Sequence, residues 1–270
     1  MFKNFQNSIQ NFWIITRFYY KSGNEHFIDE ALQASSSNFI LLAVMVVFQF
    51  TGSLSNEIIT YLICGNLLYV ATNPRIDWIL GNIIKDKKLP NYTLLPTNIY
   101  THFIAHGLAN SWFGLLVSSI SLVPILLLFI DKIDLNGLTI FNILIFVLVA
   151  VLGLLLRVAL QMIIGFTTFL TKEVAGSVAI YINLELFLAG TLFPISILAS
   201  ILPVSLTWFK DFLILQPLAF IVYHPTQIIL GNYNFSNVIL TLIGVFVWTI
   251  LIWILNISSL KLLKKQGYLD

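Results

Sequence analysis

Apolar residues run almost unbroken through 38–50, 58–71, 103–130, 138–170, 178–206 and 238–255, and polar residues gather in the short stretches between them. The first run reaches back through 27–32, with Glu25, Asp29 and Glu30 crowding its start. A helix needs roughly 20 residues to cross a hydrocarbon core, so these runs predict an all-α polytopic membrane protein of six transmembrane helices. Lysine and arginine test the arrangement, because cytoplasmic connectors collect them. Eleven of the fourteen precede the first run, lie between the second and third or the fourth and fifth, or follow the sixth. The opposite side receives Lys132 and Lys210, and Arg157 sits inside the fourth run. Both termini are therefore expected in the cytoplasm. Dropping the first run would leave five crossings and spoil the asymmetry.

Shorter periodicities lie outside the spans. Phe2, Phe5, Ile9, Phe12 and Trp13 recur at helical spacing opposite Asn4, Gln6, Asn7, Gln10 and Asn11. No uninterrupted apolar core and no small-residue cleavage site is present, which argues against a signal peptide. An amphipathic helix in the membrane interface over 1–22 is expected; an extension of the first span is the alternative. Between the second and third runs, Ile76, Ile79, Leu80, Ile83 and Ile84 form a stripe at i, i+3, i+4, i+7 and i+8, followed by Lys85, Asp86, Lys87 and Lys88. This spacing predicts a short cytoplasmic helix within 75–98, ended by Pro90 and Pro96. It either lies on the lipid surface or presents a grip to a partner.

With 58% hydrophobic and 10% charged residues, the chain has no room for a soluble domain, and 1–270 reads as one membrane domain. A net charge of +2 gives no reason to expect a nucleic-acid partner; the lipid bilayer is the expected surrounding. Cys64 stands alone, so an intrachain disulfide and a metal thiolate pair are excluded.

Ionisable groups inside a span are costly, which singles out Arg157 and Glu185. They lie about fourteen residues before and about thirteen after the turn at Thr171 and Lys172, hence at similar depth for about 1.5 Å of rise per residue. Two readings stay open: an ion pair stitching spans four and five, or a proton or substrate relay. His102 and His106 are one helical turn apart, but no Cys, Asp or Glu nearby in sequence completes a metal site. They read as interhelical or interfacial histidines, and His224 beside Pro225 gives no better catalyst. Neither a phosphate-binding P-loop nor a Gly-x-Ser-x-Gly elbow occurs, so no enzyme, catalytic residue, metal or cofactor is expected in this chain.

The stretch 184–232 reads Leu-Glu-Leu-Phe-Leu-Ala-Gly-Thr-Leu-Phe-Pro around Gly190 and Pro194. It continues through Pro203, Gln216-Pro217-Leu218-Ala219-Phe220, Tyr223-His224-Pro225 and Ile228-Ile229-Leu230-Gly231. It resembles the permease subunits of type-2 ATP-binding-cassette (ABC-2) exporters, in the six-span branch of about 260 residues. The connector is similar as well, with Ile84, Leu89, Leu94, Leu95 and Pro96 in comparable places; Lys87 stands where that family has glycine, and Leu95 where an arginine often precedes the proline.

The resemblance implies an ATPase-coupling helix carrying Ile76, Ile79, Leu80, Ile83, Ile84 and Lys85. It also implies an extracytoplasmic re-entrant segment over 203–235, with Gly190, Pro194, Pro203, Pro217 and Pro225 as its glycine and proline positions. Further implications are a partner ATPase subunit holding ATP and Mg, a second permease chain, identical or related, packed through spans one and five, and a bacterial plasma membrane location. Alternatives are a secondary transporter using Glu185 or Arg157 and a membrane assembly protein that transports nothing. The substrate stays open among lipids, hydrophobic drugs, amphipathic peptides and glycans.

Overall fold

A computed structural model describes residues 11–19, 27–93, 98–134, 137–201, 203 and 206–265, and every regular element among them is helical. Helix α1 covers residues 11–19. It is followed by α2 (Phe27–Phe50), α3 (Asn56–Ala71), α4 (Ile76–Lys85), α5 (Leu89–Thr93), α6 (Ile99–Phe129) and α7 (Ile140–Phe166). Then come α8 (Thr168–Thr171), α9 (Ala175–Leu188), α10 (Ile195–Ile201), α11 (Thr207–Leu215), α12 (Tyr223–Ile229) and α13 (Phe235–Lys265). Of the interfacial helix expected over 1–22, only 11–19 falls among the described residues.

Side-chain caps start the long helices. Ser55, Asn98 and Thr139 accept from the backbone N–H groups of Ile58, Tyr100 and Asn142 at 3.2, 3.1 and 3.1 Å, satisfying donors that the first turn leaves open. Three helical stretches, Ile99–Lys132, Ile140–Thr171 and Phe235–Leu263, are long and apolar enough to cross a membrane. A fourth results if Trp208–Leu215 and Pro217–Ile229, bent by 47°, form one broken span. The apolar parts Ser35–Phe50 and Ala175–Leu188 are shorter, as is the 16-residue α3.

The fifth apolar run corrects the expectation of a continuous span over 178–206. Helix α9 stops at Leu188, residues 189–194 are not helical, and α10 begins at Ile195. Gly190 supplies the break, with φ of +80°, a left-handed conformation that costs glycine least. Pro194 then precedes the first turn of α10, where its missing N–H is harmless.

Helix α7 is the hub, with α13, α4 and α12 packed on it, while α2, α3 and α6 form a second group. Leu156, Ala159, Phe220, Ile221, Val245 and Ile252 make the core around α7; Met45, Leu62, Leu122, Ile195 and Tyr223 make the other. A polar seam fixes the second group: Asn66 Nδ2 donates to Asn38 Oδ1 and Asn38 Nδ2 to Ser121 Oγ, both at 2.7 Å. Where helices meet without water, such bonds set register that apolar contact leaves loose.

Candidate functional site

Val149, Gly153, Arg157, Gln161 and Gly165 recur every four residues on α7, a stripe that turns about 40° at each step as it winds round the helix, and all are buried. Each meets a different neighbour. A Cβ on Gly153 would lie 3.2 Å from the Phe220 carbonyl, and one on Gly165 would lie 2.9 Å from Leu80 of α4. Between these close approaches stand the two polar side chains.

Arg157 is fully buried where α3 ends. Its Nη1 donates to the Tyr69 carbonyl at 2.6 Å and to Thr72 Oγ1 at 3.1 Å, and its guanidinium sits 4.4 Å from the Tyr69 ring centre. Terminal helix carbonyls have no partner in their own helix and carry negative dipole charge, so a cation is well placed there. Nη2 donates to Glu185 Oε2 at 2.7 Å, Nε lies 2.7 Å from Oε1, and the Tyr181 hydroxyl donates to Oε1 at 2.9 Å. Both sequence-predicted charges thus meet, with neither side chain exposed.

Gln161, one turn further along, was not singled out by the sequence. Its Nε2 donates to Asn73 Oδ1 at 2.8 Å, and its Oε1 accepts the Ile76 N–H at 3.0 Å. That N–H opens α4, so Gln161 fixes where this helix begins. Asn110 of α6 adds a bond from Nδ2 to the Pro74 carbonyl at 3.3 Å. The signal for Gln161, Gly153 and Gly165 was the four-residue repeat with Arg157; Tyr69, Thr72 and Asn73 carried none, because they act through a helix end.

The stripe on α4 faces inward. Ile76, Leu80, Ile83 and Ile84 are buried against α6 and α7, and Ile79 is half-buried. Of the residues expected to couple to an ATPase, these four therefore seat the helix within the chain. The face left outward carries Trp78, 39% exposed, and Lys85, whose Nζ lies 3.3 Å from Glu173 Oε2. The helix ends before Pro90, at Lys85, through paired bonds from Lys87 N to Ile84 O and Lys88 N to Ile83 O. Lys87 has φ of +57°, the left-handed position glycine normally takes in this motif. Pro90 falls inside α5, and Pro96 lies outside the described residues. Asp77, buried at the start of α4, has its carboxyl pushed up to about 6, chiefly by burial.

The irregular stretch between α9 and α13 is held by neutral donors. Tyr61 Oη donates to the Gly190 carbonyl at 2.8 Å, Gln216 Nε2 to Leu188 at 2.6 Å, Trp248 Nε1 to Leu215 at 2.8 Å and His224 Nε2 to Ile214 at 2.8 Å. Unwound backbone in an apolar setting is tolerable only when satisfied in this way. Pro217 opens a 3-10 turn, Pro225 lies in the first turn of α12, and Pro203 is exposed. His106 packs against Tyr19 of α1 at 4.5 Å and His102 against Tyr92 at 6.3 Å. Among the described residues, no three His, Cys, Asp or Glu side chains group as metal ligands.

An all-helical membrane protein, with a short amphipathic helix packed on its central helix and a run of short, broken helices before its last, is the class these features define. The chain belongs to the ABC-2 transporter family: the family model described as ABC-2 family transporter protein matches residues 34–265. No curated protein matches it significantly. Membership makes it a membrane component of an ABC transporter with a permease role, not itself a catalytic enzyme.

Proposed function

We propose that this chain is the permease subunit of an ABC exporter, driven by a separate ATPase subunit that holds ATP and Mg. The chain crosses a bacterial plasma membrane six times, with both termini in the cytoplasm and α1 lying in the interface. Helix α4 is the coupling element. The observation that carries this reading is that α4 is bonded at its first N–H to Gln161 of α7 and packed on Gly165, while Trp78 and Lys85 stay outward. A push delivered to that outward face reaches α7 and, through Arg157 and Glu185, α9. Two permease chains, identical or related, pack through α2 and α9. ATP binding closes the ATPases, α4 moves with them, and the paired membrane units switch from inward to outward opening.

An ion-gradient carrier using Arg157 or Glu185 directly finds less support, because each group is buried and bonded to the other. The test is co-expression with the cognate ATPase and measurement of ATP hydrolysis and export in vesicles. Trp78→Asp combined with Lys85→Asp should leave the folded permease intact and uncouple hydrolysis from export. Normal export by that variant, or ATP hydrolysis by the purified permease alone, contradicts the proposal.

A further inference from the structure

Helices α6 and α7, consecutive in the chain, leave a cleft between them floored by α3. Two chambers of about 300 and 440 Å³ follow one another along it, and Cys64, Leu67 and Ile229 line both. On the floor the cleft runs from Thr60 to Thr72, twelve residues of helix or about 18 Å. Its walls belong to two of the helices long enough to span a membrane, and Trp112, Val147 and Val151 on its rim are exposed.

Size and polarity select the occupant. An alkyl chain about 4 Å across needs roughly 200–300 Å³ over the same run. Thr60, Ser119 and Thr72 spend their hydroxyls on the carbonyls of Asn56, Leu115 and Leu68, at 2.9, 2.7 and 2.8 Å. Ser111 is a lining hydroxyl left without a partner among the described residues. A chain of methylenes therefore meets walls whose hydroxyls, Ser111 apart, are already bonded to backbone. At the end nearest the α6–α7 connector, Asp134 lines the cleft, with exposed Asp131 and Lys132 beside it. A lysine beside an exposed carboxylate, Lys132 next to Asp131, suits a headgroup bearing both a phosphate and an amine.

We propose that the cleft holds one acyl chain of a zwitterionic phospholipid, such as phosphatidylethanolamine, with its headgroup at Asp131 and Lys132. The site needs α6 and α7 to span the bilayer but does not depend on the coupling role of α4. Trp112 and Cys64, both lining the cleft, report on it. Purified permease in detergent, titrated with phosphatidylethanolamine brominated at mid-chain, should show saturable quenching at one lipid per chain, and Trp112→Phe should remove that component. Phosphatidylglycerol brominated alike should bind more weakly. Ala150→Phe, which fills the second chamber, should weaken binding roughly tenfold or more. Leu144→Phe, on the exposed face of α7 outside the cleft, should not. Independently of any variant, added phosphatidylethanolamine should slow labelling of Cys64 by an apolar maleimide in the wild-type protein. Linear, unsaturable quenching alike in the Ala150 and Leu144 variants would reduce the cleft to ordinary lipid contact and overturn the proposal. So would protection of Cys64 only in a dimeric fraction, which assigns the cleft to a second copy, or only by a transported compound.

Discussion

The junction at Arg157 and the run of short, broken helices that follows Leu188 meet the same need in different ways. Each contains backbone that leaves its helix inside an apolar bundle. At the junction the donor is a charge, and a second charge must be buried to balance it. In the run of broken helices, Tyr61, Gln216, Trp248 and His224 each supply a neutral donor to one carbonyl, so no counter-charge follows. The difference teaches where rigidity is concentrated. A charged hub fails as a unit when one member is removed, whereas separate neutral staples fail one at a time.

The largest effect separating the two is expected from Glu185→Ala. It leaves Arg157 buried and unbalanced, at a cost of about 3–5 kcal/mol, and should collapse the yield of folded protein in detergent. The double change Arg157→Met with Glu185→Leu should recover most of that loss, since a buried pair gains little over apolar residues of similar size. Recovery no better than the single variant would show that the hub has no neutral substitute.

Asp77 beside the hub gives a pH signature. Burial pushes its carboxyl in the folded chain up to about 6, against the usual 3.8 for the unfolded chain. Between those values the folded state binds more protons, so stability falls as pH rises through about 4 to 6 and the full cost is present above. Asp77→Asn should flatten that slope and raise stability at neutral pH by up to about 3 kcal/mol, read as thermal unfolding at pH 5 and 7.5.

A single staple should cost less. Gln216→Leu strands the Leu188 carbonyl at roughly 1–3 kcal/mol, with no rescue from changes at Arg157. The smallest effect falls at Lys87: Lys87→Gly relieves a left-handed residue and should stabilise by about 1 kcal/mol in the same unfolding measurement.

Much of this was legible in the apolar runs, and the gaps have physical causes. The charged pair could be inferred because ionisable residues are rare in spans and these two lay at matched distances from one turn. The fifth run misled, because continuous hydrophobicity does not register a glycine in the left-handed region; Leu188 and Leu192 are alike in hydropathy and differ only in backbone. The stripe on α4 was read as one face with its contact left open between lipid and a partner, since periodicity reveals which residues share a face and not what covers it. Lys87, a departure from the glycine of the ABC-2 pattern, occupies the conformation that glycine serves.

The central claim is that α4 and α7 move as one body, joined by Gln161 and Gly165. In a Cys64→Ala background, spin labels at Asp86→Cys, the exposed C-cap of α4, and Leu144→Cys on α7 can be measured in the assembled transporter with and without bound ATP. A single narrow distance, unchanged by nucleotide, is the predicted result. A distance that shifts by several ångströms when the ATPases close would contradict it.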